Sequence, residues 1–434
     1  MSKRRIRADL TWTGSSFERD VIIAVDDGGM ISALESTPSR DDEHLPDIAL
    51  LPGFVNVHSH AFQRGLRGRG ERFPEGAGSF WTWREAMYEL VETMTAESIY
   101  AISRQAFEEM LAAGMTTVGE FHYLHHDASC DGFGFDDIIL RAAADAGIRL
   151  VLLNTMYTTG GIGQPLGRGQ RRFMVRTTDD YWRQYDRLAS RLLGGTQSMG
   201  VVAHSIRAVP LADIVALHRE SVRRGHVFHM HVEEQRQEIE SCRASYGGTP
   251  MHTLLDALPI DQRFTAVHCT HTDPADMAAY AATGANVCLC PLTEGNLGDG
   301  LADVPGMLDS GARLCFGTDS NARLCAMEEL RWMEYVQRLA RERRGVIVDA
   351  SGEVARALLR IGTRNGARAL GIPAGRIEAG HVADVVAIDL THPSLAGTSA
   401  PDLLDAIMLG TGNETIAGTC VGGRWVRPVR RNWQ

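Results

Sequence analysis

The sequence predicts an α/β fold: a (β/α)8 TIM-type barrel with a small β-sandwich domain built from both chain ends. Three observations predict it. Short apolar runs alternate with helical stretches through the middle of the chain, which is the signature of parallel βα units. Eight such runs can be counted, as a closed barrel requires. Four of them end in metal-type side chains: His58 and His60 close LLPGFVNVHSH, while His231, His268 and Asp319 close HVFHMHVEE, FTAVHCTH and RLCFGTDS. Barrels of this kind carry their chemistry at the C-terminal ends of the strands, so four strand ends converging on one ion fit the architecture.

Taken in order, residues 1–50 read as short strands and turns, with DVIIAV and MISALE on either side of Asp26-Asp27-Gly28-Gly29. The stretch 376–434 reads the same way through VADVVAIDL and ETIAGTCVGGRWVRP. Neither piece holds enough apolar surface to fold alone, so the two are expected to pair as one composite domain beside a barrel spanning 51–375. The eight barrel candidates are LLPGFVNVH, TTVGEFHY, RLVLLNTMY, MGVVAHSIR, HVFHMHVE, FTAVHCT, ANVCLCP and RLCFGTD. Helical periodicity is clearest in ESIYAISRQAFEEMLAAG, LADIVALHRESVRRG, EELRWMEYVQRLARERR and EVARALLRIGTRNGARALG, most with glycine as a stop. Gly-rich segments at 64–78 and 159–170 follow the first and third strands and read as long active-site loops.

A chain of 434 residues with 44% hydrophobic composition suits one large barrel plus a smaller domain. Its formal charge of −10 argues against nucleic acid or an anionic membrane as partner, since both need a basic face. The basic start Met1-Ser-Lys-Arg-Arg-Ile-Arg lacks a following apolar core, so no secretory signal is read and a cytoplasmic location is expected. Eight scattered cysteines without a Cys-x-x-Cys exclude a zinc ribbon and make disulfides unexpected; Cys288 and Cys290 read as small buried thiols. Lys3 is the sole lysine. That removes Schiff-base lysine catalysis, a P-loop and a lysine carbamate bridging two metals.

Alternate side chains on a strand point the same way, so His58 and His60 can hold one ion together. With His231 and Asp319 they make the ligand set of a single zinc-type ion that keeps a position for water and lowers its pKa toward neutrality, which describes a hydrolase. Glu234, three residues past His231, is placed to carry protons to a leaving nitrogen, whereas Glu233 reads as a solvated loop carboxylate. His268 reads either as a partner of the attacking water or as a satisfied core histidine, and Asp319 as both ligand and proton acceptor. A second metal site from His122, His125 and His126 is disfavoured, because Asp127 is the one acid near them in sequence. His229 and His271 read as wall or loop residues. Phe80-Trp81-Thr82-Trp83 reads as packing that carries Arg84 above the first strand, and Arg207 stands beyond His204 at the end of the fourth. Arginine forks match carboxylates, so the two suggest a small anionic substrate with one or two carboxylates.

These residues resemble the amidohydrolase superfamily, in its one-metal deaminase branch. HSHAFQRG, SFWTWREAMY, GEFHYLHHD, AHSIRAV, HVEEQ, VHCTHTDP, LTEGNLGDG and GTDSN are similar to the formimidoylglutamate deiminase family over nearly the whole chain. The resemblance implies hydrolytic deimination of N-formimino-L-glutamate to N-formyl-L-glutamate and ammonia, in histidine degradation. It implies one divalent ion per subunit, Zn2+, on His58, His60, His231 and Asp319, with His268 beside the water and Glu234 as proton shuttle. Gln63, Tyr123, His204 and Arg207 match positions that grip the formimino and glutamate groups. Arg84 matches an arginine that reaches over from the neighbouring subunit, which implies a homodimer. Asn321 is a departure, standing where related sequences frequently have histidine. Two other readings are a heterocycle deaminase, such as one for guanine, which an aromatic pocket without paired arginines would favour, and an inactive barrel serving as a binding protein. Loss of a ligand or of Glu234 would mark the latter, and none is lost.

Overall fold

The computed structural model describes residues 4–69, 71, 76, 78 and 80–430, so part of the glycine-rich segment expected as a loop at 64–78 lies outside the described residues. Eight strands form the barrel sheet: β1 (Phe54–Ser59), β2 (Met115–His122), β3 (Arg149–Met156), β4 (Gln197–Ser205), β5 (Phe228–Val232), β6 (Phe264–His268), β7 (Asn286–Leu289) and β8 (Arg313–Phe316). Every neighbouring pair is parallel and in sequence order. Seven of the eight are buried along their whole or nearly whole length, because side chains fill the barrel inside and helices cover it outside. Their sequences are therefore apolar runs and not alternating ones.

The ring closes between β1 and β8 just past the strand ends. Ser59 and Asp319 form the bridge, His60 N donates to Asp319 O at 2.9 Å, and Asp319 N donates to His58 O at 3.0 Å. Asn56 ties the seam lower down, accepting from Thr318 N at 3.1 Å and donating to Thr318 Oγ1 at 2.7 Å. Gly317 permits this approach: a Cβ there would sit 2.7 Å from that of His58.

The predicted first strand divides in two. Leu51 and Pro52 end Glu43–Pro52 of the other sheet, and Gly53 makes the corner, where a Cβ would lie 2.2 Å from Thr116 Oγ1. That other sheet is mixed and has eight strands, drawn from the N-terminal segment and from Val385–Asp389, Ile416–Val421 and Arg424–Arg427. Arg4–Trp12 and Glu43–Pro52 pair in parallel, and the turn at Asp26-Asp27-Gly28-Gly29 joins Ile22–Val25 to Ile31–Glu35 as an antiparallel pair. Its central strands send alternate residues into two cores. Ile48, Leu50, Val385 and Ala387 join a small core with Ile23, Val25, Ile31 and Cys420, whereas Ala49, Leu51, Val386 and Ile388 join the barrel core. The sheet curls over the small core like a sandwich, bringing Met30 beside Val382 and Gly423 N to Ala383 O at 2.8 Å. Arg149, at the start of β3, pins it to the barrel with a buried fork on Asp384 at 2.8 and 3.0 Å.

Candidate active site

β1 ends with His58 and His60 turned the same way, as a pleated strand requires. The sheet brings His231 from β5 and Asp319 from the end of β8 to the same point. His58 Nε2 lies 3.3 Å and His60 Nε2 3.2 Å from Asp319 Oδ1, and His231 Nε2 lies 3.1 Å from His58 Nε2. All four side chains are buried and their donor atoms lie within 4.8 Å of one another. Two of the rings have their tautomer set from behind: His60 Nδ1 donates to Phe121 O at 2.8 Å and His231 Nδ1 to His204 O at 2.9 Å. Each is left with a bare Nε2 turned into the cluster, that of His60 toward Asp319 and that of His231 toward His58, the arrangement of a metal-ligating histidine.

Electrostatics point the same way. Burial lowers His58 to about 3 and His231 well below the usual imidazole range, so both rings are neutral donors. Burial works to raise Asp319, but hydrogen bonding with His58 and His60 outweighs it and holds the carboxyl well below its usual value. The backbone is left-handed at Asp319 (φ 43°), His268 (φ 75°) and Glu233 (φ 55°), so strain collects where the strands deliver these groups.

His268 stacks on His231 with ring centroids 5.6 Å apart, and its Nε2 lies 3.9 Å from both Glu234 Oε1 and Asp319 Oδ2. Glu294 holds the other nitrogen, with Oε1 3.2 Å from Nδ1. Burial lowers His268, but Glu234, Glu294 and Asp319 together prevail and raise it to about 10. Glu233 is not the solvated carboxylate its neighbour's role suggested. Its left-handed backbone turns it inward, where it is fully buried and accepts from Met251 N at 3.0 Å in the first turn of Pro250–Ala257.

A cavity of about 440 Å³ opens over this centre, and Gln63, Arg84, Tyr123, His204, Arg207 and Glu234 line it together with His60, His231 and Asp319. Gln63 Nε2 donates to Tyr123 Oη at 2.7 Å, which leaves Gln63 Oε1 as a buried acceptor without a partner. Arg207 Nη2 donates to Glu234 Oε2 at 3.3 Å. Arg84 lies over the Trp81 ring at 4.3 Å, in the wall of its own chain's cavity. Phe80, Trp81 and Trp83, expected as packing, line the cavity as well. Sequence reasoning missed Glu294, Glu238 and Tyr157. Glu294 in LTEGNLGDG was discoverable as an acid just past a barrel strand; Glu238 and Tyr157 carry no such signal.

The second histidine group is a buried polar network in which His122 Nδ1 is left without a partner. Its acid is Asp136, not Asp127, because the helix Gly134–Ala146 folds back over the end of β2. Asp136 Oδ1 lies 3.0 Å from His122 Nε2 and 2.8 Å from His125 Nδ1, while Gln184 Nε2 donates to Oδ2 at 2.6 Å. His125 Nε2 faces Thr155 O at 2.8 Å, so both nitrogens of that ring meet acceptors and neither offers a free lone pair. Asn321 fastens β1 to β8 behind His60 and Asp319, donating to Ser59 Oγ at 3.1 Å and His60 O at 3.0 Å and accepting from Thr318 Oγ1 at 2.7 Å.

The amidohydrolase family model matches residues 49–426. In sequence the chain is 39% identical over 419 residues to formimidoylglutamate deiminase of Pseudomonas aeruginosa, covering 94% of this chain and 91% of that one. It is 28% identical to a 5-methylthioadenosine/S-adenosylhomocysteine deaminase of Haloarcula marismortui, covering 96% and 90%. In structure it is similar to an amidohydrolase from Brucella melitensis, with a TM-score of 0.88 and 32% identity over 98% of this chain and 94% of the other. It also shares its fold with a zinc-containing adenosine deaminase from Xanthomonas campestris, with a TM-score of 0.80 and 23% identity over 98% and 92%. Donor set, fold and agreement over nearly the full chain place the protein in the amidohydrolase family, as a metal-dependent hydrolase that acts on a C–N bond.

Proposed function

We propose that the enzyme hydrolyses N-formimino-L-glutamate to N-formyl-L-glutamate and ammonia, a step of histidine degradation. One observation carries the reading: Arg207 and Arg84 line the same cavity as His60, His231 and Asp319, in a chain whose net charge of −10 otherwise repels a dicarboxylate. The 39% identical relative, named for that activity, supports it.

His58, His60, His231 and Asp319 would hold one divalent ion, Zn2+ in this reading, since no strand end carries a lysine to bridge a second. When bound, the ion supplies the Lewis acidity that makes water nucleophilic near neutral pH. The substrate's carboxylates fork onto Arg207 and Arg84, and the free Gln63 Oε1 accepts an N–H of the formimino group. Water adds to the formimino carbon while Asp319 Oδ2, turned from His58 and His60 toward His268, takes its proton. Glu234 gives a proton to the terminal imino nitrogen; the proton held by Asp319 then passes to the same nitrogen and the hydroxyl proton returns to Glu234, so that the C–N bond breaks, the carbonyl forms and ammonia leaves. His268, steadied by Glu294, spans Glu234 and Asp319 and keeps the water in line with both. The proposal includes a cytoplasmic homodimer acting on a small anion, with no nucleic acid or membrane partner, and a barrel of residues 51–375 with a composite domain of 1–50 and 376–434. Among the described residues no helix is long and apolar enough to cross a membrane.

A product assay tests it: formyl-glutamate and ammonia are expected, and glutamate with formamide, or no turnover, overturns it. A heterocycle deaminase is the second reading, favoured by Phe80, Trp81, Trp83 and Tyr88 on the cavity wall. Turnover of guanine or an adenine nucleoside well above that of formimino-glutamate would select it.

A further inference from the structure

Glu238 lies on Arg236–Tyr246, the helix that follows β5. Its side chain is fully buried, both carboxylate oxygens lack a hydrogen-bond partner, and it lines the substrate cavity. Its Oε1 faces Arg207 Nε at 3.7 Å, and that nitrogen has no hydrogen-bond partner either. Arg207 meanwhile donates to Glu234 at 3.3 Å. One guanidinium thus serves two buried carboxylates, and a substrate carboxylate would be a third. Glu234 also has His268 within 3.9 Å, whereas Arg207 is the cation that acts on Glu238, so a substrate carboxylate that takes this guanidinium leaves Glu238 as the buried anion without a counter-charge.

We propose that Glu238 is a specificity-determining positioning residue: it holds Arg207 in the free enzyme and takes up a proton from solvent when a substrate carboxylate docks on that guanidinium. This rests on the role given to Arg207 above. Glu234 has the closer contact with Arg207 and has His268 beside it, which leaves Glu238 as the group that yields. Burial raises Glu238 to about 7, with Arg207 opposing and Glu234 and Glu233 adding. The groups that face it are Arg207 beyond β4, Glu233 and Glu234 beyond β5, Cys242 one turn along its own helix and Cys269 beyond β6. Burial pushes both thiols up, so neither ionises near pH 7. An arriving carboxylate takes Arg207's charge from Glu238 and raises its affinity for a proton further. Below about pH 7 Glu238 is already protonated and binding is independent of pH. Above it each docking event must bring a proton, so KM rises by up to about tenfold per pH unit while kcat does not follow.

The test uses the metal-loaded enzyme with glutarate as probe, titrated calorimetrically at pH 7.5 in phosphate and in Tris to count protons. Wild type is expected to take up most of one proton per glutarate and Glu238→Gln none, with a KM that no longer climbs with pH. Equal proton uptake in the two, or none in wild type, overturns the proposal; Glu234→Gln is expected to keep the uptake, and its loss there overturns the proposal too, so the comparison decides even if Glu238→Gln fails to fold. Glutarate affinity unchanged in Arg207→Ala would instead overturn the role of Arg207. Glutarate binding that depends on Arg207 but takes up no proton overturns the role of Glu238 alone.

Discussion

Replacing the two arginines in turn should separate them by an amount their surroundings set. The Arg207 side chain is 15% exposed and touches Glu234 and Glu238, whereas Arg84 is half-buried and rests on the face of Trp81. A hydrogen bond to a charged partner is worth about 1.5–3 kcal/mol, with the upper part of the range where water is excluded. Loss of a buried fork at Arg207 therefore removes roughly 3 kcal/mol or more, and about 1.4 kcal/mol is a factor of ten in rate, so Arg207→Ala should lower kcat/KM about a hundredfold or beyond. Part of the loss should fall on kcat, because Glu238 would then be buried beside Glu234 without the guanidinium that faces both. Arg84, better screened, contributes roughly 1.5 kcal/mol, and Arg84→Ala should cost about tenfold, mostly in KM. Arg207→Lys keeps the charge without the fork and should fall between. Ammonia release from formimino-glutamate, with metal content measured alongside, reads all three. A smaller loss for Arg207→Ala than for Arg84→Ala, with metal retained, would refute the reasoning.

Elemental analysis of active protein should give one divalent ion per chain, lost in His58→Asn or Asp319→Asn; two tightly held ions would contradict the ligand set. Glu234→Gln should keep metal and substrate binding while kcat falls by roughly two to four powers of ten, as for other general acid–base groups; near-normal kcat would transfer the proton role elsewhere. Asp136→Ala strands His122 and His125 in the interior and should cost about 3–5 kcal/mol, seen as a large drop in thermal midpoint. It should leave the metal count at one, and loss of an ion with Asp136 would instead make that network a metal site.

The barrel was legible because parallel strands covered on both faces leave unbroken apolar runs, and because each functional run stops at a residue that has no place in a core. That logic found His58, His60, His231 and Asp319, which the fold brings to one point. It failed where tertiary contacts alone decide. Glu233 and Glu234 are adjacent and chemically alike, and only the left-handed turn at Glu233 sends one to a helix terminus and the other to the cavity. Asp136 escaped notice because a helix, not the local chain, carries it to His125. Leu51 and Pro52 read as barrel strand because the terminal sheet is also buried on two faces, so its strand has the same apolar composition.

The seam between β1 and β8 joins residues such as Asn56 and Thr318 that are 262 positions apart. The side chains proposed to hold the ion straddle that seam, with His58 and His60 on one side and Asp319 on the other. A chain emerging from the ribosome therefore carries two histidines that have no complete partner set until six further strands have been made and the eighth has swung round. The curled sheet waits longer still, since Val385–Asp389 pairs with a strand completed at Pro52. If these side chains hold the ion as proposed, metal capture and ring closure become one late event in biosynthesis, and a chain truncated before β8 should have neither.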